Sequence, residues 1–280
     1  DGEQAAFGGE LEYPNDMVNW KIGFQQIGEN YYPGLGFVNR TDIRRYDAEY
    51  RYRIRPDEGF LRAIDFKLKG FLVTDTATTV ESGLLAFEPI KLTRGVIYEG
   101  GNAEDSLKFR YEHRFERLLE PVEIHPDIFL PAGSYDWDEG SARIETNRKR
   151  ILAGTVDVGA GTFFSGERLR ALGQLDFRPN KHFLLSLIYD HNQIWLPEGD
   201  FEVQLVILST TVQFTPDISW ITFGQWDNVS DKMGFNSRFR WIIQDGREFY
   251  IIVNQDFDTR NEIRAERTEA ILKLEWTFRF

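Results

Sequence analysis

The residues of this chain that have the means to do chemistry are scattered, and their spacing serves no single reaction. His113, His125, His182 and His191 stand too far apart for the short ligand spacing of a zinc site. There is no cysteine, hence no thiolate ligand and no disulfide. Ser165 and Ser186 lack a G-x-S-x-G frame, and no glycine-rich loop leads from a strand into a helix, so neither acyl transfer nor phosphate cradling has a motif. Tyr135-Asp136-Trp137-Asp138-Glu139-Gly140 gathers carboxylates suited to Ca²⁺ or glycosidase-type chemistry, beside rings suited to sugar stacking. It lacks the complete calcium-loop pattern and reads as a solvated loop. No catalytic residue, metal ligand or cofactor is expected.

What the charged residues do possess is a period of two. Arg45, Asp47, Glu49, Arg51 and Arg53 alternate with Tyr46, Ala48, Tyr50, Tyr52 and Ile54. Lys108, Arg110, Glu112 and Arg114 alternate with Leu107, Phe109, Tyr111, His113 and Phe115, and Arg238 and Arg240 belong to a further such segment. A helix would scatter these charges around its cylinder, whereas a strand puts all of them on one face. Two readings of the charged faces stand: a polar, water-filled lumen with an internal field, or a ladder of cross-strand salt bridges that fills the interior.

The elements that carry these faces are strands near 4–13, 17–28, 44–55, 60–74, 81–98, 106–116, 134–145, 149–163, 167–177, 181–194, 200–214, 217–228, 234–244, 248–257 and 270–280. The segment 134–145 is the weakest and competes with a loop. Those at 81–98, 200–214 and 217–228 alternate poorly, which points to bulges. Short turns at Pro14-Asn15-Asp16, Pro56-Asp57-Glu58-Gly59, Arg178-Pro179-Asn180, Thr215-Pro216-Asp217 and Asp245-Gly246 contrast with longer connections at 29–42, 118–133, 229–233 and 258–266. Strands of about ten residues joined this way are the pattern of an outer-membrane barrel, with the longer loops facing outward.

Composition agrees. Aromatic residues make up 15% of the 280 and charged residues 28%, a mixture that must be placed on separate surfaces. The longest apolar runs, Phe183–Ile188 and Val203–Leu208, fall far short of the roughly 20 residues of a spanning helix. The net charge of −12 argues against a nucleic-acid partner.

Two local features stand out. Ala270, Leu272, Leu274, Trp276, Phe278 and Phe280 share one face of the last strand, and Trp276, Phe278 and Phe280 resemble the terminal signal read by barrel-assembly machinery. The stretch Asn30 to Asp42, rich in glycine and rings, is a structured loop. Either it folds into the lumen as a constriction, with Arg40 and Asp42 selecting solutes, or it is a self-packed surface cap.

This stretch with Ile43-Arg44-Arg45-Tyr46, and Gly161-Thr162-Phe163-Phe164-Ser165-Gly166, Leu196-Pro197-Glu198-Gly199, Gln225-Trp226-Asp227-Asn228-Val229-Ser230 and Asn236-Ser237-Arg238-Phe239-Arg240-Trp241, resembles segments of one bacterial outer-membrane family. Its members carry an N-terminal carbohydrate-binding module of the family-nine type and a C-terminal barrel domain of unknown function. The resemblance implies further barrel sequence before Asp1, and sugars as the solute.

The expected fold is thus an all-β, antiparallel transmembrane barrel of about 14–16 strands in a Gram-negative outer membrane, one domain over 1–280, either a barrel in itself or the C-terminal part of a larger one. The expected role is passive, porin-like transport of polar solutes. Its rivals are a non-conducting anchor for a carbohydrate-binding or surface module, and a soluble secreted glycan-binding protein or hydrolase. The expected partners are the lipid bilayer with its lipopolysaccharide, the assembly machinery, and carbohydrate.

Overall fold

The structure is a computed structural model that describes residues 4–34, 36–94, 105–260 and 262–277. Every regular element in it is a strand. The first six are β1 (Ala6–Tyr13), β2 (Val18–Ile27), β3 (Ile43–Ile54), β4 (Ala63–Asp75), β5 (Val80–Arg94) and β6 (Asp105–Leu118). Two short strands, β7 (Val122–His125) and β8 (Ile128–Leu130), precede β9 (Gly133–Glu145), β10 (Leu152–Phe163), β11 (Gly166–Asn180) and β12 (Phe183–Trp195). The last are β13 (Phe201–Thr215), β14 (Ile218–Asp227), β15 (Lys232–Gln244), β16 (Arg247–Asp258) and β17 (Arg264–Trp276).

All except β7 and β8 form one 15-stranded sheet in chain order, each strand antiparallel to the next. Such a meander needs only hairpin connections, which the turn residues supply: Asn15 Oδ1 accepts from the amides of Met17 and Val18, and Gly246 takes φ 77 in the two-residue turn before β16. Because the number of strands is odd, β1 and β17 run in the same direction. They are the two edges, and no ladder pairs them among the described residues. Closure into a barrel, expected from the pattern, is therefore not part of the described hydrogen bonding.

Direct cross-strand partners share a face, and the register carries one face across most of the molecule. The rung Glu12, Lys21, Glu49, Lys69, Ala86, Glu112, Glu139, Gly161, Arg168, Ile194, Phe201 runs unbroken from β1 to β13. On the opposite face Tyr46, Tyr50, Phe109, Tyr111, Leu169, Leu187, Trp220, Phe235 and Leu272 are exposed. With both faces of a single layer accessible, the chain exposes 17951 Å². A compact soluble protein of 32.7 kDa exposes about 12,400 Å².

The sequence placed the short turns and the long connections on opposite ends, and the strand order does the same. Connections 14–17, 55–62, 146–151, 181–182, 216–217 and 245–246 lie at one end; 28–42, 119–132, 228–231 and 259–263 lie at the other, where the shorter 76–79, 164–165 and 196–200 join them. Three readings need correction. Segment 134–145 is a full strand, β9, paired on both sides, and so Tyr135 to Gly140 is not a loop. The connection 118–133 is not open loop but holds the β7–β8 hairpin. Poor alternation in β5 does reflect a bulge, where Pro89 falls in a register shift between Phe87 and Ile90. In β13 the only irregularity is near Gln213, and alternation is masked because Leu205 and Ile207 on the charged face stand beside Val206 and Leu208 on the other.

Candidate functional site: the charged face

Each candidate lumen residue falls on one face. Arg45, Asp47, Glu49, Arg51 and Arg53 on β3 share it with Lys108, Arg110, Glu112 and Arg114 on β6, and the register continues it to Arg238 and Arg240 on β15. These side chains are mostly half-buried by their neighbours. They bond to one another: Arg53 to Asp65 at 2.6 Å, Lys67 to Glu49 at 2.6 Å, Arg114 to Glu112 at 2.9 Å and Arg240 to Glu248 at 2.7 Å. Arg110 also contacts Glu112.

Reading from sequence missed the densest part of this network. Glu139 on β9, only 6% exposed, accepts from Arg168 at 2.5 Å and Arg170 at 2.7 Å on β11, and Arg170 donates to Asp157 at 2.8 Å. The guanidinium groups cross β10 where it has Gly159 and Gly161. A Cβ on Gly159 would sit 2.9 Å from Arg170 Nε and 3.0 Å from Glu139 Oε1. The signal was present as Arg168 and Arg170 at a spacing of two, two strands away from acids that were assigned to a loop.

Two connections reach over the charged face at the end that carries the long ones. In the first, Tyr31 and Val38, with Phe71 of β4, pack on Ile27, Ile43 and Val73, while Arg40 extends to Glu81 at 3.5 Å and to Glu116 at 3.6 Å. Asp42 does not join it. It takes φ 58 and its carboxylate is bound by the Thr76 hydroxyl at the β4–β5 turn. In the second, the β7–β8 hairpin seats Leu130, 1% exposed, against Ile194, Leu196 and Phe201, with His125 stacked on Phe201 at 4.6 Å. The hairpin thus spans from β6 to β13 on the charged side, carrying Glu120, Glu123 and Asp127.

On the charged face of β1 to β5 is a hollow of about 570 Å³ bounded by Lys21, Arg45, Glu49, Lys69 and Phe71, with the Arg45 guanidinium 4.4 Å from the centre of the Phe71 ring. It offers a ring with donors and acceptors around it.

Other candidates do not assemble. Trp137 is 7% exposed beneath Phe163 and Phe164, so it is no platform for a sugar. Asp138 lies on the aromatic face, bonded to His113 at 2.8 Å and Tyr111 at 2.5 Å. Ser165 donates to Glu198 at 2.7 Å. Trp276 stacks on Arg247 at 3.8 Å, whereas Phe278 and Phe280 lie outside the described residues. In the first short turn the Arg55 guanidinium, with Arg53 behind it, holds the Asp16 carboxyl at about 2. Among the described residues no group of three His, Asp or Glu is placed to hold a metal.

No protein-family model matches the chain, and no curated protein matches it significantly.

Proposed function

We propose that the sheet is the wall of a bacterial outer-membrane β-barrel through which polar solutes diffuse passively. The observation that carries the reading is the two-faced sheet: one face carries ion pairs from β1 to β11 and again from β15 to β17, with Ile188, Leu205, Ile207 and Phe223 between them, and the other exposes large apolar side chains from Tyr46 on β3 to Leu272 on β17. Water would make such an apolar face a liability, while lipid covers it at no cost. A soluble glycan-binding protein would cover it with a second sheet. Among the described residues the only other sheet is the β7–β8 hairpin, which sits on the charged side.

The mechanism is diffusion along a wall of fixed charges whose mouth is narrowed by 29–42 and by the β7–β8 hairpin. The hollow around Phe71 suits a solute with an apolar face and a hydroxyl rim, so sugars are the solute we infer, in keeping with the resemblance to barrels that follow a carbohydrate-binding module. The long connections face outward and the tight turns face the periplasm.

The test is recovery in the membrane fraction with extraction only by detergent, followed by single-channel recording in planar bilayers. Discrete conductance supports the channel. A detergent-extracted protein without conductance would support the anchor for a surface module instead, and a stable detergent-free monomer would remove the barrel.

A further inference from the structure

On the charged face, at the end carrying the tight turns, one rung places Asp65, Lys91, Lys108 and Arg143 directly opposite one another on β4, β5, β6 and β9. Three consecutive cations in direct cross-strand positions repel, and such an arrangement costs stability unless it is neutralised. The acids nearby are already committed. Asp65 is held by two nitrogens of Arg53 at 2.6 Å and 3.1 Å, and Glu88 is shared between Lys108 at 3.5 Å and Arg110 at 3.9 Å. Arg143 divides itself between Glu145 and Asp157, each at 3.5 Å.

Lys91 is left with no carboxylate partner among the described residues. On the next rung Arg51 stands opposite Lys67, and Arg51 Nε is buried with no hydrogen-bond partner. Between the rungs lies a hollow of about 310 Å³, whose wall has six cations against three carboxylates, with the Ser106 hydroxyl beside them. A volume near 300 Å³ is at the small end of ligand pockets. The excess of positive charge is local, since the chain as a whole carries −12.

We propose that this hollow is a binding site for an oxyanion, a carboxylate or phosphate group carried by a small solute, held by Lys91, Lys108 and Arg51. Charge-assisted bonds from ammonium and guanidinium groups are the strong kind, and the ligand's charge removes the repulsion between the rung's cations. The proposal rests on the reading of this face as lumen and narrows its solutes to include acidic ones.

Titration calorimetry on the full chain in detergent measures binding without requiring conduction, so its failure and that of the channel are separate results. The probes are inorganic phosphate and glucuronate, with glucose as the uncharged control. One or both anions are expected to bind saturably and to outcompete glucose at this site, and which of them binds more tightly tells phosphate from carboxylate.

Lys91→Gln with Lys108→Gln is expected to weaken that binding by about tenfold or more, and Lys91→Gln alone to do so without lowering thermal stability, because Lys91 has no carboxylate partner to lose. Lys91→Glu is expected to abolish anion binding, because its carboxylate faces Lys108 and takes the place of the ligand's charge. Absence of saturable anion binding to the parent chain, or equal binding by the parent chain and the double variant, would overturn the site.

Discussion

Arg40 Nη2 lies 3.6 Å from Glu116 Oε1, a contact that runs from the connection before β3 to the far part of β6, three strands away in the sheet. Arg40 is 40% exposed in its side chain, so the pair contributes at most about 1 kcal/mol to global stability. Its consequence is positional. Arg40→Ala is expected to leave the melting temperature nearly unchanged while making 29–42 cleave faster under limited proteolysis and raising open-channel noise. Unaltered cleavage and noise would mean that the loop is held by Tyr31 and Val38 alone.

The hairpin has a firmer anchor. Leu130 is buried among Ile194, Leu196 and Phe201, and trimming a buried leucine to alanine costs about 2–5 kcal/mol. Here the cost falls on hairpin docking more than on the ladder. Leu130→Ala is expected to expose 118–133 to protease and to increase conductance, with the strand signal in circular dichroism intact. Loss of the strand signal would instead make the hairpin part of the folding core.

Acid sensitivity should appear at the first tight turn. The Asp16 carboxyl is held at about 2, below its ordinary 3.8, chiefly by the Arg55 hydrogen bonds. A depressed folded value means that the turn's contribution is fully present above about pH 4 and is lost as pH falls toward 2. The side chain is more than half exposed, so the effect is small. Asp16→Asn should be slightly less stable than the parent at neutral pH, and the two curves should converge near pH 2. A constant gap across that window would assign the loss to something other than charge.

The buried Glu139 tests the network. Gly159→Val would push on both Arg170 Nε and Glu139 Oε1, and it is expected to part them and to cost about 1–3 kcal/mol for the under-paired carboxylate. Glu139→Gln in the same background should recover part of that loss. No recovery would place the cost in the backbone of β10.

Much of this was legible in the sequence because period two is a strong signal wherever charge and rings alternate, as in Arg45 to Ile54, and because Pro14-Asn15-Asp16 and Asp245-Gly246 leave little choice of turn. The hairpin at 118–133 was not, since β7 and β8 have four and three residues bracketed by Pro121, Pro126 and Pro131, too short to show alternation. β9 is hard to read as a strand because its outward Asp138 breaks the apolar row. That acid is tolerated through Tyr111 and His113, contacts that sequence spacing does not reveal. The cation-rich rung at Lys91, Lys108 and Arg143 depends on register between three strands, which no single strand displays.

The central claim is that the aromatic face meets lipid and the charged face meets water. Neighbouring residues on two strands decide it: Tyr50 and Arg51 on β3, Phe109 and Arg110 on β6. The chain has no cysteine, so single cysteines can be introduced at each position and challenged, in the assembled protein in membranes, with a lipid-phase label and a water-soluble thiol reagent. The account predicts lipid-phase labelling at 50 and 109 and aqueous labelling at 51 and 110. Aqueous labelling at 50 and 109 with lipid-phase labelling at 51 and 110, or resistance of all four to both reagents, would contradict it.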